Sequence, residues 1–213
     1  MKTDDLIAML ATGVAPVDPH LVAKRFATGL LLGGAGAFAL MLMGYGIRPD
    51  LAQAAQAPML WVKLGFAFVI AVSSLVLTER LARPGVRPGR AWVGVALPWA
   101  AISFMGLVVL MGAPPQERLG LVLGRTWLSC ALSISLIASP VFVGLVWALR
   151  GLAPTRLGLA GACAGLLAAA VGALVYALHC PEVEAPFLAV WYVLGLLIPT
   201  VVGALIGPKL LRW

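Results

Sequence analysis

A chain of 213 residues is of single-domain size, but 62% of the residues are hydrophobic, only 11% are charged, and the mean hydropathy is +1.03. That balance lies outside the range of soluble domains and points to an integral membrane protein. The net charge of +7 is therefore read as a difference between the two sides of a bilayer rather than as a nucleic-acid patch, and no direct nucleic-acid contact is expected.

The chain begins Met-Lys-Thr-Asp-Asp-Leu-Ile-Ala-Met-Leu-Ala-Thr-Gly. Thr3 is a candidate N-cap, Asp4 and Asp5 complement the helix dipole, and Gly13 is a stop signal. Leu6, Met9 and Leu10 share one face, Ile7 widens it, and Ala11 lies in the last turn. Such a helix of about nine residues is too short to be stable alone in water and needs a partner. Its polar face carries aspartates rather than the Lys and Arg of a bilayer-surface anchor. A protein groove that accepts apolar residues at i, i+3 and i+4 fits better, and docking on the chain's own bundle is the alternative. Val14 to Pro19 reads as a stiff tether, with Asp18 and Pro19 opening the first spanning helix. Residues 1–25 are thus read as a cytoplasmic segment and 26–213 as the membrane domain.

Apolar runs of the roughly 20 residues that an α-helix needs to cross about 30 Å of hydrocarbon occur six times. They span 26–46, 59–77, 91–111, 127–149, 157–178 and 187–206. The first begins only at Phe26, has full spanning length and lacks a convincing cleavage site, so it is expected to remain as an anchor. Continuous runs such as residues 157–170 do not alternate, which excludes a barrel. The fold class is all-α, a bundle of six transmembrane helices.

Eleven of the fifteen Lys and Arg fall on the side of the two termini, and four (Arg48, Lys63, Arg118 and Arg125) on the other. The positive-inside rule then places both ends in the cytoplasm. Trp61, Trp127 and Trp191 mark outer ends, Trp92, Trp147 and Trp213 inner ends, and Trp99 sits deep. Gly29 with Gly33, Gly161 with Gly165 and Gly203 with Gly207 are read as close packing within one bundle rather than as a seam between copies, so self-association is left open. Pro98, Pro140 and Pro199 lie inside spans, where they kink a helix.

Lys63 is the one charge inside a span, and its stem is expected to snorkel to the outer interface. Without ionisable groups at mid-depth, a proton-coupled transporter is disfavoured and no catalytic set is evident. The serines at 129, 133, 135 and 139 read as packing residues. The polar chemistry gathers in the last outward loop, which holds His179, Cys180, Glu182 and Glu184. Cys130 lies at nearly the same depth, offset from Cys180 by only about 7 Å along the helix axes. The pair is within the tolerance for a disulfide, and with His179 and Glu182 it forms a candidate site for a soft metal ion; both readings stand. Cys163 lies in the inner half of its span, on the wrong level to join.

Three stretches carry a family resemblance: the opening Met-Lys-Thr-Asp-Asp-Leu-Ile-x-x-Leu-Ala, the run Ser-Cys-Ala-Leu-Ser-Ile around Cys130, and His-Cys-Pro-Glu-x-x-Ala-Pro-Phe-Leu-Ala-Val-Trp-Tyr from His179 to Tyr192. Over essentially its whole length the chain resembles the negative regulator of sigma factor family, six-span inner-membrane anti-sigma factors of proteobacteria. The resemblance implies a regulator rather than an enzyme, with an extracytoplasmic-function (ECF) sigma factor as its partner. It assigns sigma binding to the segment with Asp4, Asp5, Leu6, Ile7, Met9, Leu10 and Ala11. It also implies that Cys130 and Cys180 sense heavy metal or oxidative stress from the periplasmic side, and it gives Cys163 no role. No constitutive cofactor is expected, only a transient soft metal ion at Cys130 and Cys180. The alternative is a small transporter or metal-efflux component with Cys130, Cys180 and His179 at its outer mouth; a structural membrane subunit ranks third.

Overall fold

A computed structural model describes residues 2–12 and 18–212, in which all regular structure is helical. The expected stop at Gly13, the tether at 14–17 and Trp213 lie outside the described residues. Six helices are long and apolar enough to cross a membrane: Leu21–Gly44, Pro58–Leu81, Gly89–Gly112, Pro115–Arg150, Leu157–Tyr176 and Ala185–Leu210.

The first helix, α1 (Thr3–Ala11), starts one residue earlier than a Thr3 cap requires. Thr3 is itself in the helix, and the Asp5 carboxylate accepts a hydrogen bond from the Lys2 backbone N–H at 3.2 Å. At the other end the Thr12 hydroxyl donates to the Met9 carbonyl at 2.6 Å. Every residue of α1 is exposed.

α2 (Leu21–Gly44) begins before the apolar run does, so residues 21–25 already belong to it. Its first turns are kept in place by polar contacts. Lys24 pairs with Asp18 at 2.6 Å, and the Arg25 guanidinium lies over the Trp147 ring at 5.6 Å. Two short helices unseen in the hydropathy pattern follow at the same end of the bundle, α3 (Leu51–Ala54) after α2 and α6 (Pro115–Leu123) after α5 (Val93–Gly112). α4 (Pro58–Leu81) starts on a proline at its first position, where the missing N–H costs nothing. α7 (Trp127–Arg150), α8 (Leu157–Tyr176) and α10 (Val193–Leu210) complete the set. α10 is preceded by the single turn α9 (Ala185–Phe187) and a π-type turn at Leu188–Tyr192.

α8 is the central helix, packed against α2, α4, α7 and α10. Lipid tails are as apolar as leucine, so helices in a bilayer associate through close packing, and small residues permit it. A side chain on Gly161 would run into the Gly203 carbonyl, and one on Gly165 into the Pro199 carbonyl. A Cβ on Gly29 would lie 2.6 Å from the Gly144 carbonyl oxygen. These small-residue pairs lock α8 to α10 and α2 to α7 inside one chain. α5, by contrast, buries only Ile102 and Gly106 and lies at the periphery. Of the serines on α7, Ser129, Ser135 and Ser139 donate to carbonyls of the Thr126–Arg150 stretch itself.

Candidate functional site

At one end of the bundle the C-terminal ends of α2 and α8 meet the N-terminal ends of α4 and α7, and the loop of residues 178–184 lies between them. A loop among helices brings carbonyls that no ladder satisfies, and each needs a donor. Arg48 supplies two, from its backbone N–H to the Leu178 carbonyl at 3.1 Å and from its guanidinium to the Cys180 carbonyl at 3.4 Å. Asp50 holds that guanidinium at 2.6 Å.

Lys63 supplies two more, and here the structure corrects the sequence expectation. The side chain does not snorkel; it is 0% exposed. Its Nζ donates to the Cys180 carbonyl at 3.1 Å and to the Glu182 carbonyl at 2.9 Å, and lies 4.7 Å from the centre of the Tyr192 ring. Two orphan carbonyls and an aromatic face offer the ammonium more than a stretch to the interface does.

Cys130 and Cys180 are brought together. Neither is in a disulfide in the structure, both are 0% exposed, and they lie close enough for each thiol to act on the other's ionisation. The hydrogen bond from the Cys130 thiol holds the loop thiol of Cys180 below the ordinary range; burial opposes this, and the nearby Lys63 charge adds to it. The Tyr192 hydroxyl is buried beside this pair without a hydrogen-bond partner among the described residues.

His179 and Glu182 go elsewhere. The His179 ring lies 5.3 Å from Tyr45 and 5.8 Å from Tyr176, with Nδ1 at 3.1 Å from the Gly46 carbonyl. The Glu182 carboxylate accepts from the Arg125 backbone N–H at 2.7 Å and sits 3.4 Å from the Thr126 hydroxyl, so it ties the loop to the turn that leads into the helix carrying Cys130. Gly124, at φ 55°, makes the turn that leads to this contact; a Cβ there would meet Phe187 at 2.7 Å and Glu182 at 2.8 Å. Among the described residues no three His, Cys, Asp or Glu side chains converge on one point. Cys163 is half-buried on α8, away from the pair. Sequence reasoning missed Lys63, Arg48, Tyr176 and Tyr192 as neighbours of the thiols. The signal available was that Lys63 is the lone charge within a span, and such residues mark functional sites.

The arrangement is a closed dithiol whose loop is tied by hydrogen bonds to three helix ends. Comparison with known proteins identifies the kind of molecule that carries it. The model of the family NrsF, negative regulator of sigma F, matches residues 10–213. The chain belongs to this family. A probable anti-sigma-F factor NrsF of Azospira oryzae is 46% identical over 213 residues, covering all of both chains. The anti-sigma-F factor NrsF of Caulobacter vibrioides is 40% identical over 218 residues, again covering all of both. No solved structure matches. Membership of the NrsF family makes the chain a negative regulator of a sigma factor, with a sigma factor as its partner and a regulatory rather than a catalytic role. Six spanning-length helices agree with a multi-pass membrane protein.

Proposed function

We propose that the chain holds a sigma factor of the extracytoplasmic-function type at the bacterial inner membrane, and releases it when heavy metal or an oxidant engages Cys130 and Cys180. The observation that carries this reading is the meeting of the two thiols at one end of the bundle, opposite the end that holds Arg25, Trp147 and Arg150. With eleven of fifteen basic residues on the side of the termini, the positive-inside rule puts the thiol end in the periplasm and both termini in the cytoplasm.

Sigma binding belongs to α1. Leu6, Ile7, Met9 and Leu10 are 38%, 58%, 60% and 67% exposed, an apolar face beside Asp4 and Asp5 that suits a groove in a partner protein. The basic stretch from Arg80 to Arg90 offers a second cytoplasmic contact. Two buried thiols without a third ligand suit a soft ion such as cadmium, which prefers thiolate, or conversion to a disulfide.

The test is to purify the tagged chain from its native membranes under reducing conditions and identify copurifying proteins by mass spectrometry, with and without cadmium. A sigma factor bound before exposure and lost after it supports both binding and the direction of the switch. A sigma factor that stays bound to wild type under cadmium sinks the metal-release reading. In Cys130→Ser/Cys180→Ser chains the complex should persist under cadmium.

A further inference from the structure

We infer that Lys63 is a latch: its ammonium seats the loop from Cys180 to Glu182 against the bundle, and so controls access of thiophilic ions and oxidants to the cysteine pair. The inference rests on the sensing role proposed for those cysteines, but the latch itself is a property of the loop.

A lysine with no exposed surface inside a spanning helix is costly, and it persists only where its donors are satisfied. Among the described residues no carboxylate lies within ion-pair distance of it. Its partners are the carbonyls on either side of Pro181, those of Cys180 and Glu182, at 3.1 and 2.9 Å, together with the Tyr192 ring. The buried charge is therefore spent on the backbone of the segment that carries the sensor thiol. Pro181 has no N–H of its own, so this stretch of loop depends on donors from outside. Arg48 reaches the same Cys180 carbonyl more distantly, at 3.4 Å, and Glu182 anchors the far side to the start of α7. Lys63 is the one of the three whose side chain alone holds two loop carbonyls, whereas Arg48 reaches the Leu178 carbonyl through its backbone N–H and the Cys180 carbonyl through its guanidinium. Because both thiols are fully buried, an ion or oxidant reaches them only when this loop lifts, and the bonds that resist lifting include those of Lys63. Cys180 is thus carried on a lid whose hinge side is α8 and whose catch is on α4.

The test is alkylation by N-ethylmaleimide in native membranes of the full chain, quantified separately at Cys180 and Cys163. Lys63→Met keeps the length of the side chain and removes the donors, and replacing a buried charge by an apolar residue is often tolerated. It should accelerate Cys180 alkylation about tenfold relative to Cys163, equivalent to about 1.4 kcal/mol of lost closure. Lys63→Arg, which keeps charged donors, should give a smaller rise. A role confined to the electrostatics of the thiol predicts the opposite sign, because losing the ammonium leaves less thiolate and slows alkylation. Unchanged or slower Cys180 alkylation in Lys63→Met overturns the latch. So does an equal rise at Cys163, which signals general loosening, or an equal rise in Lys63→Arg. Acceleration at Cys180 alone, together with sigma release that still responds to cadmium in Cys130→Ser/Cys180→Ser chains, upholds the latch and removes the sensing reading instead.

Discussion

Glu182 faces the turn that leads into α7, one of the four helices that surround the thiol loop. Its carboxylate satisfies the Arg125 N–H and sits beside the Thr126 hydroxyl, one turn before Cys130. A hydrogen bond to a charged acceptor contributes about 1.5 to 3 kcal/mol, and a carboxylate near a helix N-terminus also complements the dipole. Glu182→Ala should therefore lower the thermal midpoint of the detergent-solubilised chain by a few degrees, and Glu182→Gln, which keeps an acceptor, should recover most of the loss. Cadmium affinity of the Gln variant, measured by isothermal titration, should stay within about twofold of wild type, since Gln conserves the acceptor for the Arg125 N–H; a loss of tenfold or more makes Glu182 a ligand. The depth match of Cys130 and Cys180 was legible because helical rise converts residue number into height. The direction of Lys63 was not, because it depends on which carbonyls the neighbouring loop leaves without donors.

The helices pack by the small residues their sequences place four apart. Spacing identified Gly161, Gly165, Gly203 and Gly207 as packing positions but could not name their partners, since a periodic pattern fixes a face and not what covers it. The structure pairs Gly161 with Gly203 through backbone contact and Gly165 with the Pro199 carbonyl. The short helices α3 and α6 escaped notice because neither has the length or hydropathy of a span, and the peripheral position of α5 escaped because a uniformly apolar helix has no moment to read. Gly161→Leu should force α8 and α10 apart against backbone, beyond the 1 to 3 kcal/mol typical of overpacking, and should abolish a monodisperse peak in size-exclusion chromatography. Gly65→Leu is the control. A Cβ there meets nothing within 4 Å, and leucine is the better helix former. Equal behaviour of the two variants would remove the α8–α10 seam as a determinant of the fold.

Across the whole molecule the thiol pair and the sigma-binding face proposed for α1 are separated by the thickness of the membrane, about 30 Å. No ligand contact bridges that distance, so the two events communicate only through a change in how the helices pack, for which α8 and its neighbours are the candidate element. Thermodynamics constrains any such change regardless of its route. If cadmium weakens sigma binding by some factor, bound sigma must weaken cadmium binding by the same factor. Coupling of this kind is typically about 5- to 150-fold, and a complete switch from 1:99 to 99:1 takes about 5.5 kcal/mol. Cadmium titrated into the chain in nanodiscs should therefore bind more weakly when the sigma factor is saturating, by the factor that separates sigma affinities measured with and without cadmium. The Cys130→Ser/Cys180→Ser chain should show neither effect. Should cadmium bind with equal affinity in both states while sigma is still released, release would have to come from a second metal site or from metal acting on the sigma factor itself.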